Sequence, residues 1–471
     1  MVFSSLTFLF FFFPLTLILC FAGKSIRWRN NVLLAASLIF YAWGEPIWVL
    51  AMIGSSAVNF FCAKKIVHTR VRRQRRLWMI VGVATSAALL FAFKYAAFFA
   101  NTFLALIGVK TRVAGPELPI GISFYTFQVI TYTVDVYRRK TRAQKYFSRL
   151  LLYVSCFPQL IAGPIVQYSD IAAQIGRRES TPEGFSQGMQ RFVIGLGKKV
   201  IFANICGSAL TSLPLAGGGA ALSVGGAWYA AFLYTLQIYF DFSGYSDMAI
   251  GIGRILGFTY KENFMYPYAS RSVREFWRRW HISLGSFFRD YVYIPLGGNR
   301  RGLRRTILNT LIVWMLTGLW HGANWTFVTW GLFYGVLLTL DLLFMRRVVE
   351  RLPAALNWLI TMTLVIVSWV IFYYPSLGQA VTHIGAMFGL GASSLMDAAA
   401  LRVIKTYSVF PLIAFIASLP VAPLVRRLAP SIALTGKRLE IARAVWLSAC
   451  LLLSVLFLVG QSYNPFIYFQ F

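Results

Sequence analysis

The chain has 471 residues, 58% hydrophobic and only 13% charged. A soluble domain carries about a quarter charged residues. Apolar stretches long enough to cross a bilayer recur from end to end, so the composition excludes a soluble enzyme and predicts an all-α polytopic membrane protein. The net charge of +30 lies in short loops between apolar runs, which points to the positive-inside rule and anionic lipid head groups rather than to nucleic acid.

The first apolar segment, 2–22, lacks a basic n-region and a cleavage site, so it reads as a retained span. Lys24, Arg27 and Arg29 then place the next loop inside. Further apolar segments fall near 31–62, 77–109, 118–137, 149–168, 188–212, 224–258, 306–340, 354–375, 407–425 and 443–461. "GEP" at 44–46 divides the second into a hairpin. The alternation of inside and outside loops fails around 95–137 unless a segment there is re-entrant. The expected total is about eleven to thirteen transmembrane or re-entrant helices, in one integral-membrane domain over 1–471. No internal repeat is visible. The five cysteines form no C-x-x-C pair, so neither a disulfide framework nor a metal site is expected.

Four stretches carry polar chemistry. In 118–140 and 156–168, Pro119, Gly121, Gln128, Asp135, Pro158, Gln159, Gly163 and Pro164 interrupt apolar runs, as broken helices lining a cavity would. In 237–247, Asp241 and Asp247 need partners, an arginine or histidine from another segment, and Gly244 offers a kink. They read as a polar clamp between helices or as support for a site. The third, 271–305, holds nine arginines against Glu275 and Asp290. Ser272 and Glu275 form a capping box. Val273, Phe276, Trp277, Trp280 and Leu284 then make the apolar face of an amphipathic interfacial helix with tryptophans at head-group depth. Arg271, Arg274, Arg278, Arg279, Arg300 and Arg301 suit either lipid phosphates or those of a substrate. His281 begins the next turn, and Gly297–Gly298 turn the chain.

The fourth is "LTGLWHGANWTFVTWG", 316–331, inside a run with no charged residue. From Arg305 to His321 is about 24 Å of helix, so His321 lies deep in a hydrocarbon layer of about 30 Å. A break is expected at "HGAN", and Gly318, Gly322 and Ala323 admit a close neighbour. Trp320, Asn324, Trp325 and Trp330 surround the imidazole. An ionisable residue at such depth reads as functional. The residues alone leave three readings open: an enzyme with His321 as base, a transporter or channel using His321, Asp241 and Asp247 as a proton or ion relay, or a scaffold or flippase that does no chemistry. His68 and His383 read as bystanders.

Taken together, "LPIGISFYTFQVITYTVDVYR" (118–138), "YFDFSGYSDMAIGIGRILGF" (239–258), "FWRRWHISLGSFFRDYVYIPLGGNR" (276–300), "GLWHGANWTFVTWG" (318–331) and the closing "NPFIYFQF" (464–471) resemble the membrane-bound O-acyltransferase family, in its bacterial alginate O-acetylation branch. The resemblance implies helices around a central tunnel, with core motifs within 118–340. It implies that His321 matches the catalytic histidine and His281 the second site position. It implies transfer of an acyl group, expected to be acetyl, from a cytoplasmic thioester such as acetyl-coenzyme A, with no bound cofactor. The acceptor outside would be an exopolysaccharide or other cell-wall glycan, reached through a periplasmic acetyltransferase partner, and the location the bacterial inner membrane. On this reading a neutral, buried His321 deprotonates the acceptor hydroxyl. His281, Asn324 or a tryptophan N–H, Trp320 among them, would stabilise the oxyanion, with Asp241 and Asp247 in support. The six arginines named above would hold the donor's phosphates.

Overall fold

A computed structural model describes residues 1–216, 222–428 and 436–460; the closing 464–471 motif lies outside them. The described chain is helical, and every apolar segment of the sequence contains helix. Leaving out single turns, the helices are α1 (Phe8–Ala22), α2 (Ile26–Ala42), α3 (Trp48–His68), α4 (Arg72–Leu106), α5 (Ile122–Tyr137), α6 (Phe147–Ser155), α7 (Tyr168–Gly176), α8 (Pro182–Thr211) and α9 (Val224–Ile255). There follow α10 (Val273–Arg279), α11 (Ile282–Phe288), α12 (Leu303–His321), α13 (Trp325–Arg351), α14 (Ala354–Tyr373), α15 (Leu377–Met387), α16 (Ala398–Tyr407), α17 (Val409–Ser418), α18 (Val421–Leu428) and α19 (Gly436–Gly460). Among the described residues six helices are long and apolar enough to cross a membrane, or seven if the bent pair α16–α17 is one span. The protein is therefore a multi-pass membrane protein. Of the remaining apolar segments, 224–258 is the single long helix α9, and the others are shorter or broken helices. The "GEP" hairpin is present, between α2 and α3.

The chain forms two compact units, 1–192 with 245–261 and 193–244 with 262–471. The first packs α3, α4 and α5 around a buried amide. Asn59 donates to Ser86 Oγ at 2.8 Å and accepts from Thr133 Oγ1 at 2.6 Å, so three helices share one satisfied polar knot. Glu45, in the hairpin turn, accepts from the Ile120 amide at 3.0 Å. Arg191 grips Asp247 at 2.8 Å.

The second unit holds an aromatic core with Phe276, Trp280, Trp330 and Trp369 at its centre. Its hairpin of α12 and α13 is built on glycine. A Cβ on Gly318 would stand 2.2 Å from the Phe327 carbonyl, and one on Gly331 would stand 2.3 Å from the Trp314 carbonyl. The two backbones touch, as small residues permit.

Two expectations are corrected here. Gly244 makes no kink, because α9 runs unbroken from Val224 to Ile255. It makes room instead: a Cβ there would meet the Gly195 carbonyl at 2.7 Å. Nor is 273–284 one interfacial helix. α10 ends at Arg279, and Val273, Phe276, Trp280 and Leu284 are buried, the first three in the aromatic core. An apolar face has the same pattern whether protein or lipid covers it.

Candidate active site

Of the capping box expected at the start of α10, the Ser272 half is formed, and the Glu275 carboxylate reaches one residue before the cap. Ser272 Oγ accepts from the Glu275 amide at 3.1 Å, and the Glu275 carboxylate accepts from the Arg271 amide at 2.8 Å. After α10, Trp280 is extended and His281 is left-handed, with φ 45°. A non-glycine residue held in that region stores strain, a recurrent feature of functional positions. What holds it is a short backbone pairing. The Ile282 amide donates to the Asn263 carbonyl at 3.0 Å, and the Met265 amide to the Arg279 carbonyl at 2.9 Å.

His281 is 1% exposed. Its Nδ1 lies 3.2 Å from Asn263 Oδ1, and its ring packs edge-on against Phe242 at 4.6 Å and Trp320 at 5.9 Å. Burial pushes its pKa down to about 3, so the ring is neutral across the physiological range. A cavity of about 170 Å³ adjoins it, walled by Trp277, Leu284, Phe288, Arg289 and Trp314.

His321 is the last residue of α12. Gly322 is extended there, with φ −174°, so the helix breaks at "HGAN" as expected. The 306–340 run is thus two antiparallel helices, and His321 stands at their turn. It is 6% exposed, with Trp320 at 4.9 Å, Trp330 at 5.1 Å and Phe372 at 5.1 Å between ring centroids. Trp320 therefore touches both histidines. Behind it, Trp277 packs on Trp314 at 4.5 Å and on Tyr334 at 4.8 Å. The result is two buried imidazoles in one aromatic box, where a charge developing in a reaction would be poorly screened.

The other expected residues take different places. Asn324 caps α13, its oxygen accepting from the Thr326 amide at 3.1 Å, while its nitrogen donates to the Pro375 carbonyl at 2.9 Å. Asp241 forms a buried ion pair with Lys199. Asp247 has the arginine partner the sequence asked for, Arg191. Arg274 is bound to Asp341 and Arg279 to Glu275, each at 2.6 Å. Arg271, Arg278, Arg300 and Arg301 are exposed. Sequence reasoning missed Asn263, Lys199, Arg289 and Phe372. No local pattern announces them, because each acquires its place only through the fold.

Comparison with known proteins gives one answer. The family model of the membrane-bound O-acyltransferases matches residues 140–378, a stretch that contains both histidines. The probable alginate O-acetylase of Pseudomonas putida is 39% identical over 492 residues, covering 100% of each chain. The peptidoglycan O-acetyltransferase of Helicobacter pylori is 35% identical over 84% of this chain and 81% of its own. The teichoic acid D-alanyltransferase of Bacillus subtilis is 29% identical over 47% of this chain and 58% of its own.

Proposed function

The chain belongs to the membrane-bound O-acyltransferase family and is an O-acyltransferase, and from that premise we propose that it passes an acetyl group from a cytoplasmic thioester, acetyl-coenzyme A, toward a glycan outside the membrane. The acceptor class is a polysaccharide such as alginate or another cell-wall glycan, the location the bacterial inner membrane, and a periplasmic acetyltransferase completes the hand-over. The observation that carries this reading is the pair of buried histidines sharing Trp320 in one aromatic box beside a cavity.

In the proposed mechanism His321 takes the proton of the acceptor hydroxyl as its oxygen attacks the thioester carbonyl. The C–O bond forms, the C–S bond breaks, and the departing thiolate takes the proton back from the imidazolium. The oxyanion in between needs a donor, and the indole N–H groups of the box are the nearest class of candidate. Asn324 supports the site by fixing the turn after His321. Arg271, Arg278, Arg300 and Arg301 have exposed guanidinium groups for the donor's phosphates. Arg274 and Arg279 are already committed to carboxylates, and support that surface indirectly. The transporter alternative draws no support from Asp241 or Asp247, since each is held in an ion pair.

The test is transfer of labelled acetyl from acetyl-coenzyme A in membrane vesicles, wild type against His321→Ala. The variant is expected to insert normally and to lose transfer by about 100-fold or more, the scale of a lost acid–base group. Equal transfer in both would return His321 to a structural role.

A further inference from the structure

Asn263 and His281 meet in an arrangement that fixes a proton. The Oδ1 of Asn263 receives three neighbours: the Ser283 backbone amide at 3.2 Å, the Ser283 hydroxyl at 2.8 Å and His281 Nδ1 at 3.2 Å. A backbone N–H can only donate, so the atom facing it must be the amide oxygen and not the amide nitrogen. That settles the orientation of the Asn263 side chain. An amide oxygen can only accept, so a hydrogen bond from His281 Nδ1 to the same atom puts the hydrogen on Nδ1; the Ser283 hydroxyl, 3.4 Å from that nitrogen, spends its own hydrogen on the closer Asn263 Oδ1 at 2.8 Å. In a neutral imidazole the other nitrogen, Nε2, then holds the lone pair.

We propose that Asn263 is a positioning residue that locks His281 as the Nδ1–H tautomer, so that His281 meets the reacting groups as a hydrogen-bond acceptor at Nε2 and not as an oxyanion donor. The inference rests on the reading of His281 as a member of the site. It assigns His281 to the hydroxyl side of the reaction, where an acceptor is needed to orient an O–H group. It leaves oxyanion stabilisation to N–H donors elsewhere in the box. The left-handed backbone at His281 and the pairing of 263–265 with 279–282 serve the same end, since they hold the ring over the Asn263 amide. Among the described residues, the charged or titratable groups about the ring include Arg289 and Tyr293 on the cavity wall and His321 across Trp320.

The chain has only four histidines, so 15N-histidine labelling of the full-length protein in detergent gives four imidazoles, and His281→Ala assigns the one of interest. The wild-type His281 signals should show a protonated Nδ1 and a bare Nε2 from pH 6 to 8, the window about the ordinary histidine pKa. A protonated Nε2 would overturn the proposal. Asn263→Asp keeps an oxygen for both Ser283 donors and so keeps the fold, but sets a carboxylate against the ring. It should raise the pH at which His281 becomes imidazolium by about one unit or more. Asn263→Leu should mix the tautomers and cut acetyl transfer by roughly tenfold or more, with the donor KM nearly unchanged. His281 spectra identical to wild type in both variants would sink the inference even if His281→Ala is inactive. Wild-type transfer in His281→Ala would instead remove His281 from the reaction, and with it the functional half of the proposal, while the spectra still decide what Asn263 does.

Discussion

Three of the four histidines are buried. His383 reads in the sequence as a bystander after a loop. It is 2% exposed and both ring nitrogens are used. Nε2–H donates to the Ala227 carbonyl at 3.0 Å, and Nδ1 accepts from the Tyr374 hydroxyl at 2.8 Å, whose oxygen accepts in turn from the Ala216 amide at 3.2 Å. This chain of donors needs a neutral ring. Burial lowers the His383 pKa, with the Ala227 carbonyl opposing it. The unfolded chain therefore binds the proton more readily than the folded one. The stabilisation is complete above the ordinary histidine pKa of about 6.5 and is lost as pH falls below it toward the depressed folded value. Melting temperature in detergent should drop between pH 7.5 and 5, and His383→Gln should flatten that part of the profile. A profile unchanged by the substitution would leave the acid sensitivity to other groups.

At the level of the helix, local rules read well and partners did not. The break after His321, the Ser272 cap of α10, and the turn at Gly297–Gly298 with φ of 110° and 55° all follow from nearest neighbours in sequence. The covering of an apolar face does not, and so the pattern points Trp280 to the lipid interface although it is buried in protein. The partners of Asp241 and Asp247 are equally illegible, since Lys199 lies forty-two residues before one and Arg191 fifty-six before the other. The Lys199–Asp241 pair has a sharp consequence. Asp241→Asn strands a buried ammonium and should cost about 3–5 kcal/mol, whereas Lys199→Met with Asp241→Leu should recover most of the loss. Melting in detergent gives the stability, and acetyl transfer in vesicles gives the role. A stable but inactive double variant would place Asp241 in the chemistry after all.

For the molecule as a whole, the class was legible from composition, and the family from motifs spread along the chain. The division into two compact units was not, because apolar segments look alike whichever unit they join. One relation of position does follow from a single helix. Arg301 precedes α12 and His321 ends it, a separation of about 30 Å along the axis. That is the thickness of the hydrocarbon layer. Cysteines placed at Arg301 and at the half-exposed Trp325, in a chain freed of its native five, should be labelled by an impermeant maleimide from opposite sides of the membrane. Labelling of both from one side would mean that α12 does not span.

Trp320 and Trp330 have one more consequence. Their indoles lie within about 5 Å of the His321 ring, at 4.9 Å and 5.1 Å between centroids. A proton arriving on that imidazole places a cation against two emitting chromophores, and an imidazolium in contact quenches indole emission. The site thus carries its own optical gauge. A dim phase in tryptophan fluorescence after mixing with donor, absent when His321 is replaced, would time the proton's stay on the base without any added label.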